Sequence, residues 1–231
     1  MDQKLENVIQ TINLGKSFLL AETKVDILKE INLEVKKGSF YSIMGPSGSG
    51  KSTLLYLLGG LDKPTSGSVL INGRDISKLK DKEESKIRRN DIGFVFQFYN
   101  LIPNLNVEEN IMLPILLDGK KVGNYKKDLE EILEVVGLED RRRHTPRELS
   151  GGQQQRVAIA RALINKPDII FADEPIGNLD SKTGTEIMKL LQKINKEQQR
   201  TIIQVTHSEK SALYGTDIIR VKDGRICENI E

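Results

Sequence analysis

Residues 45–52 read Gly-Pro-Ser-Gly-Ser-Gly-Lys-Ser, and no other stretch so narrows what this chain can fold into. A short apolar run, 40–44, precedes it and a helix-like run, 53–58, follows, which gives strand, glycine-rich turn and helix. Gly45, Gly50, Lys51 and Ser52 fall at the P-loop spacing. Glycine is needed because the backbone must curl around an anion with its N–H groups inward, in conformations a Cβ would obstruct. The helix start adds unpaired N–H groups and the positive end of its dipole. In that setting Lys51 reaches the β- and γ-phosphates of a nucleotide, and the Ser52 hydroxyl ligates Mg²⁺. The plain alternative is a flexible glycine–serine turn. A chance match in a chain this long has odds of roughly one in a hundred, and the strand and helix on either side reduce them. The candidate phosphate site is therefore Gly45, Pro46, Ser47, Gly48, Ser49, Gly50, Lys51, Ser52 and Thr53.

Around this loop the chain reads as an α/β protein. Residues 8–14 and 27–35 read as strands, with Lys16-Ser17-Phe18 and a polar stretch at 22–26 between them. Lys63-Pro64-Thr65-Ser66-Gly67 is a dense turn signal, and 68–71 is a strand closed by Asn72-Gly73. Residues 81–90 form a charged surface helix and 92–96 a compact apolar strand. From Gln97 the character changes. Residues 98–103 are a loop, 107–117 and 125–136 are helix-like, and the link at 119–124 is short and polar. Residues 97 to about 151 thus read as a helical insertion. Helical periodicity returns over 152–165, then alternates with near-continuous apolar runs at 168–172 and 201–205, as expected for strands buried on both faces. A helix at 181–195 lies between those runs, and a hairpin around Asp223-Gly224 closes the chain.

Two further motifs bear chemistry. The run Ile169-Ile170-Phe171-Ala172 ends in Asp173-Glu174. An acid at the end of a buried strand beside a P-loop is where Mg²⁺ needs support, so Asp173 is the candidate metal-site residue. Glu174, one residue on, would turn toward the γ-phosphate, where a general base orients the attacking water. A solvated loop is the bland reading of an isolated Asp-Glu pair, but the strand before it and the P-loop beside it argue against that. The second motif is Leu149-Ser150-Gly151-Gly152-Gln153, a further anion-binding surface at a helix start. Either both phosphate elements serve one site, or each chain lends one to another chain's nucleotide; the residues alone leave both open.

Composition bounds the rest. The chain has 231 residues, enough for one large domain or a core with an insertion, and 38% of them are hydrophobic. Lys+Arg 35 against Asp+Glu 33 gives a net charge of +2, too balanced to argue for nucleic-acid binding. The lone Cys227 excludes an internal disulfide framework and suits a reducing cytosol, where it reads as a half-buried small residue near the C-terminus. Residues 1–10 carry Asp2 and Glu6 with no long apolar segment, unlike a secretory signal. No run approaches the ~18 to 20 apolar residues of a membrane span, so the chain is expected to be cytoplasmic and to meet a membrane only through a partner. The run Arg141-Arg142-Arg143-His144 reads as a solvated face rather than a lipid-phosphate site.

On these motifs the sequence resembles the nucleotide-binding domain of ATP-binding cassette (ABC) transporters across essentially its whole length. Leu-Ser-Gly-Gly-Gln at 149–153 is that family's signature and is seldom found in other P-loop enzymes. The resemblance implies a single domain over 1–231: a P-loop NTPase (RecA-like) core from 1–96 and 152–231, with an N-terminal antiparallel β subdomain and an inserted α-helical subdomain at about 97–151. It implies an ATPase using ATP and Mg²⁺, with Glu174, His207 and Gln97 as catalytic residues. It implies a head-to-tail, ATP-dependent homodimer, with ATP held between the P-loop of one chain and Ser150, Gly151, Gly152 and Gln153 of the other. Gln97 matches the Q-loop glutamine near the Mg²⁺ and water. Asn178-Leu179-Asp180 matches the D-loop at the dimer interface, which puts Asp180 by the nucleotide. His207 matches the switch histidine on the γ-phosphate.

Phe18 stands where the family places an aromatic, usually tyrosine, on adenine; a core role is its competitor. Residues 98–103 with Val107-Glu108-Glu109-Asn110, and Gly177 through Asp180, look like the branch of macrolide and lipoprotein exporters and bacitracin-type peptide resistance systems. The resemblance implies a separate transmembrane permease as partner, which would hold this chain peripherally on the inner face of the cell membrane, with no direct nucleic-acid contact. The competing function classes are a soluble ABC ATPase acting on ribosomes or DNA, which usually carries two cassettes or long insertions, and a non-hydrolysing nucleotide sensor, disfavoured by Glu174 and His207.

Overall fold

The computed structural model describes residues 6–21 and 23–227. The reading of the N-terminus as unlike a secretory signal falls largely on residues outside these. Two antiparallel strands, β1 (Asn7–Leu20) and β2 (Thr23–Lys36), open the chain; β3 (Phe40–Met44) and α1 (Lys51–Leu58) flank the glycine-rich loop. Next come β4 (Ser66–Ile71), β5 (Arg74–Asp75), α2 (Asp81–Asn90) and β6 (Ile92–Phe96). Helices α3 (Val107–Leu117), α4 (Lys126–Val136) and α5 (Gly151–Leu163) follow. The chain ends through β7 (Ile169–Asp173), α6 (Ser181–Gln198), β8 (Thr201–Val205), α7 (Glu209–Ala212), β9 (Asp217–Lys222) and β10 (Arg225–Cys227).

The apolar runs become the middle of a six-stranded sheet in the order β10-β9-β3-β8-β7-β6, parallel throughout except for the terminal β9–β10 pair. Their period of two divides the side chains between two cores. Ile170, Ala172, Ile202 and Phe40 face α3, α4, α5 and α6, whereas Ile169, Phe171, Ile203 and Ile43 face α1 and the antiparallel sheet. Leu54, Leu55, Leu57 and Leu58 of α1 are all at most 1% exposed. At about 2 kcal/mol per buried leucine, that short helix is held by its packing rather than its length.

The first sheet, β2-β1-β4-β5, is antiparallel and shares the second core. Here the sequence reading was too short. β1 runs through Lys16-Ser17-Phe18 to Leu20, and β2 starts at Thr23, so residues 16–20 and 23–26 belong to a long paired ribbon. Its register shifts at Thr11/Leu14 and Leu14/Lys16, with Asn13 and Glu30 at positive φ, break the alternation that a sequence reading depends on. The end of the ribbon is exposed on both faces, so cross-strand pairing rather than burial forms it.

Helices α3 and α4 lie between residues 97 and 151. Asn106 starts α3 with a capping box: its side chain accepts from Glu109 N, and the Glu109 carboxylate accepts from Asn106 N. Part of the polar link at 119–124 coils into a 3₁₀ turn at Val122–Tyr125. The basic run is partly structural rather than simply solvated. Arg142 Nε donates to Glu108 at 2.6 Å, and Val107 N donates to the His144 carbonyl at 2.9 Å.

Candidate active site

Four strands of the parallel sheet deliver their C-terminal ends to one edge, where ligands bind in open α/β sheets. β3 runs into the glycine-rich loop, β7 ends at Asp173, β8 leads to His207, and β6 leads to Gln97. The loop needs its glycines for stated reasons. A Cβ at Gly45 (φ 152) would collide with the Val221 carbonyl, and at Gly50 (φ 98) it would press on Leu28 and the Ile27 carbonyl. Lys51 Nζ folds back to the Pro46 carbonyl at 2.8 Å, spanning the loop that it would share with a phosphate. The Ser49 hydroxyl is buried and has no partner.

Beside the loop lies a cleft of about 440 Å³. Ser47, Gly48, Lys51 and Ser52 line one side, Phe18 and Ile27 another, and Glu174 closes it. Phe18 is 43% exposed on this cleft, which excludes the core reading, and Lys16 Nζ lies 4.9 Å from its ring centroid. An aromatic face flanked by Ile27 is a surface on which a nucleobase can stack.

Asp173 and Ser52, two candidate metal-site residues, meet: Ser52 Oγ donates to Asp173 Oδ1 at 3.0 Å. The other carboxylate oxygen accepts from Tyr56 Oη at 2.6 Å. Burial, then the Asp173 hydrogen bond and charge, push the Tyr56 phenol up to about 12. The donor set of hydroxyl and carboxylate oxygens fits Mg²⁺, which takes few protein ligands and completes its shell with phosphate and water. Among the described residues no group of three or more His, Cys, Asp or Glu could hold a metal by itself.

Glu174 sits at φ 47, a left-handed conformation, with its N–H bonded to the Val205 carbonyl at 3.0 Å. Its carboxylate meets His207 Nδ1 at 3.0 Å, so strand ends β7 and β8 bring the two predicted catalytic groups together. Gln97 is placed differently. It is tied to the loop after β7, donating to Asn178 Oδ1 at 3.2 Å and accepting at its carbonyl from Asn178 Nδ2 at 2.9 Å.

The signature residues do not join this cleft. Ser150 caps α5, bonded to Gln153 N through its hydroxyl, while Ser150 N bonds the Gln153 side chain. Gly151 and Gly152 lie against Leu179 and Thr183, and Asp180 caps α6 through Lys182 N and Thr183 N. A hydrogen bond with the Thr183 side chain, and then these backbone bonds, hold the Asp180 carboxyl below its usual range. This second cluster does not line the cleft of the same chain.

Three residues that sequence reasoning missed link these parts. Tyr56 reads as one more core position in a leucine-rich helix. Gln155, fully buried on α5, donates to the Pro175 carbonyl at 2.6 Å, and its own Oε1 has no partner. Arg161 of α5 donates to the carbonyls of Tyr99 and Asn100, both at positive φ, and thereby holds the loop after Gln97. Beside it opens an apolar groove of about 350 Å³ between β6, α3 and α5, lined by Phe94, Phe96, Leu113, Pro114 and Leu117. Phe98 stands 73% exposed on the loop next to it.

With this geometry in place, comparison with known proteins is decisive. Residues 28–177 match the family model described as "ABC transporter". The lipoprotein-releasing system ATP-binding protein LolD of Geobacter metallireducens is 45% identical, over 96% of this chain and 99% of that protein. The macrolide export ATP-binding/permease protein MacB of Bdellovibrio bacteriovorus is 48% identical over 95% of this chain, which spans 33% of that longer protein. A dimeric, post-hydrolysis structure of the cassette MJ0796 of Methanocaldococcus jannaschii, bound to ADP and Pi, superposes with a TM-score of 0.87 at 48% identity. The match covers 96% of this chain and 97% of that one.

Proposed function

This chain belongs to the ABC transporter family, and from that premise we propose that it is the ATP-hydrolysing subunit of an exporter whose membrane-spanning part is a separate chain. The observation that carries the reading is the meeting of Ser52, Asp173, Glu174 and His207 at one sheet edge, with the Ser150 cluster displaced from it. A nucleotide seated on the loop would have its base against Phe18 and its phosphates against Lys51 and the loop N–H groups. Ser52 and Asp173 would hold Mg²⁺, which when bound neutralises charge on the β- and γ-phosphate oxygens. Glu174 accepts the proton of the attacking water, and His207, now on Glu174, turns to the γ-phosphate. Ser150, Gly151 and Gly152 of a second copy cover the nucleotide, with Gln153 bracing Ser150 and Asp180 at the junction. The dimer opens once the phosphate that bridges the copies is lost.

The motion passes through Gln97 and the loop held by Arg161. The adjoining apolar groove, with Phe98 beside it, is where a segment of the permease docks. Among the described residues no helix is long and apolar enough to cross a membrane. Resemblance to a lipoprotein-releasing and a macrolide export protein supports an export role for that assembly. Pull-down of the full chain from detergent-solubilised native membranes tests this: an integral-membrane permease is the expected partner. Recovery with ribosomes or DNA, and with no membrane protein, overturns it.

A further inference from the structure

We propose that Tyr56 is a positioning residue of the metal site, its hydroxyl holding the Asp173 carboxylate in the orientation in which the other oxygen faces Ser52. Ser52 and Tyr56 are four residues apart on α1 and therefore lie one turn apart on the same face. Both point at Asp173, and each takes one of its oxygens, at 3.0 and 2.6 Å. The carboxylate thus bridges two successive turns of the helix that the glycine-rich loop starts. Positions 54, 55, 57 and 58 are all buried leucines, so the phenol is the single polar group in that stretch. Its ring packs on the core beneath while its oxygen reaches the site. A leucine in its place would leave Asp173 Oδ2 unpaired and the carboxylate free to rotate at the end of β7. Partners in the shell behind a metal ligand set that ligand's orientation, and their removal typically costs about 10- to 100-fold in metal affinity.

The proposal rests on Asp173 being at the metal site, and the test separates the two. Binding of a non-hydrolysable ATP analogue is titrated with Mg²⁺ in the wild type, Tyr56→Phe, Asp173→Asn and the double variant. Tyr56→Phe keeps the ring and removes only the donor. The Mg²⁺ concentration for half-maximal analogue binding is expected to rise about 10-fold in Tyr56→Phe, with analogue affinity in EDTA unchanged. In the Asp173→Asn background the same change should add nothing. An unaltered Mg²⁺ requirement in Tyr56→Phe, when Asp173→Asn does shift it, overturns the role of Tyr56. So does an equal shift in both backgrounds, or a loss of analogue binding in EDTA, which would make the phenol structural. If Asp173→Asn itself leaves the Mg²⁺ requirement unaltered, the metal-site assignment falls and takes this inference with it.

Discussion

Glu174 is held at φ 47, a backbone conformation that costs a glutamate about 1 kcal/mol, and the Val205 carbonyl keeps it there. The strain aims the carboxylate at His207 instead of letting it continue the line of β7. Glu174→Gln preserves that shape and removes the base. It is expected to bind ATP within about twofold of the wild type while losing at least about 100-fold in hydrolysis rate. Size-exclusion chromatography should then show a persistent dimer with ATP; a variant that stays monomeric or hydrolyses at the parental rate refutes the assignment. Residues such as Lys51, Ser52, Asp173 and Glu174 were legible because phosphate and metal chemistry tolerates few side chains at fixed spacings. Tyr56 was not, since Leu-Leu-Tyr-Leu-Leu reads as core until Asp173, distant in sequence, is seen to meet its hydroxyl. Gln155 and Arg161 were hidden likewise, their partners being backbone carbonyls that no sequence pattern announces.

At the scale of elements, the parallel strands and long helices could be read because each is buried with a clear period. The β1–β2 ribbon could not, because bulges interrupt its alternation and its far end has no buried face. The start of α3 shows how one element is fixed. Glu108 lies in its first turn, where a negative charge suits the helix dipole, and Arg142 and Arg143 approach it at 2.6 and 3.3 Å. The Arg142 hydrogen bond, above all other influences, holds the Glu108 carboxyl below the usual carboxylate range. A carboxyl depressed on folding stabilises the protein above its ordinary pKa, and that stabilisation is lost as pH falls through the folded value. Glu108→Gln should therefore lower stability by about 1 kcal/mol at neutral pH, after allowance for solvent screening. The difference from the wild type should close as the pH falls through the depressed folded value of this carboxyl. Thermal melts of the two proteins across that range check it, and a gap that persists in acid would mean the pair contributes packing rather than charge.

For the whole molecule, the separation of the Ser150 cluster from the cleft in one chain has a measurable counterpart in mixed assemblies. Lys51→Ala spoils the loop and Ser150→Arg spoils the cluster, and each alone should hydrolyse ATP at close to the background rate. Mixed one to one, half of randomly formed dimers carry one variant of each kind. In those, both defects fall on the same composite site and the other site is intact. The mixture should regain activity that neither parent has, provided that one intact site turns over; a mixture as inactive as its parents argues against the head-to-tail arrangement. The Gln155 amide adds a mechanical consequence. It joins the helix that begins at Ser150 to the Pro175 carbonyl, one residue beyond Glu174. In the proposed dimer, α5 caps the neighbour's nucleotide while Gln155 grips the base of its own. A displacement of α5 in that dimer would therefore be passed, through one buried amide, to the backbone beside the glutamate of the same chain.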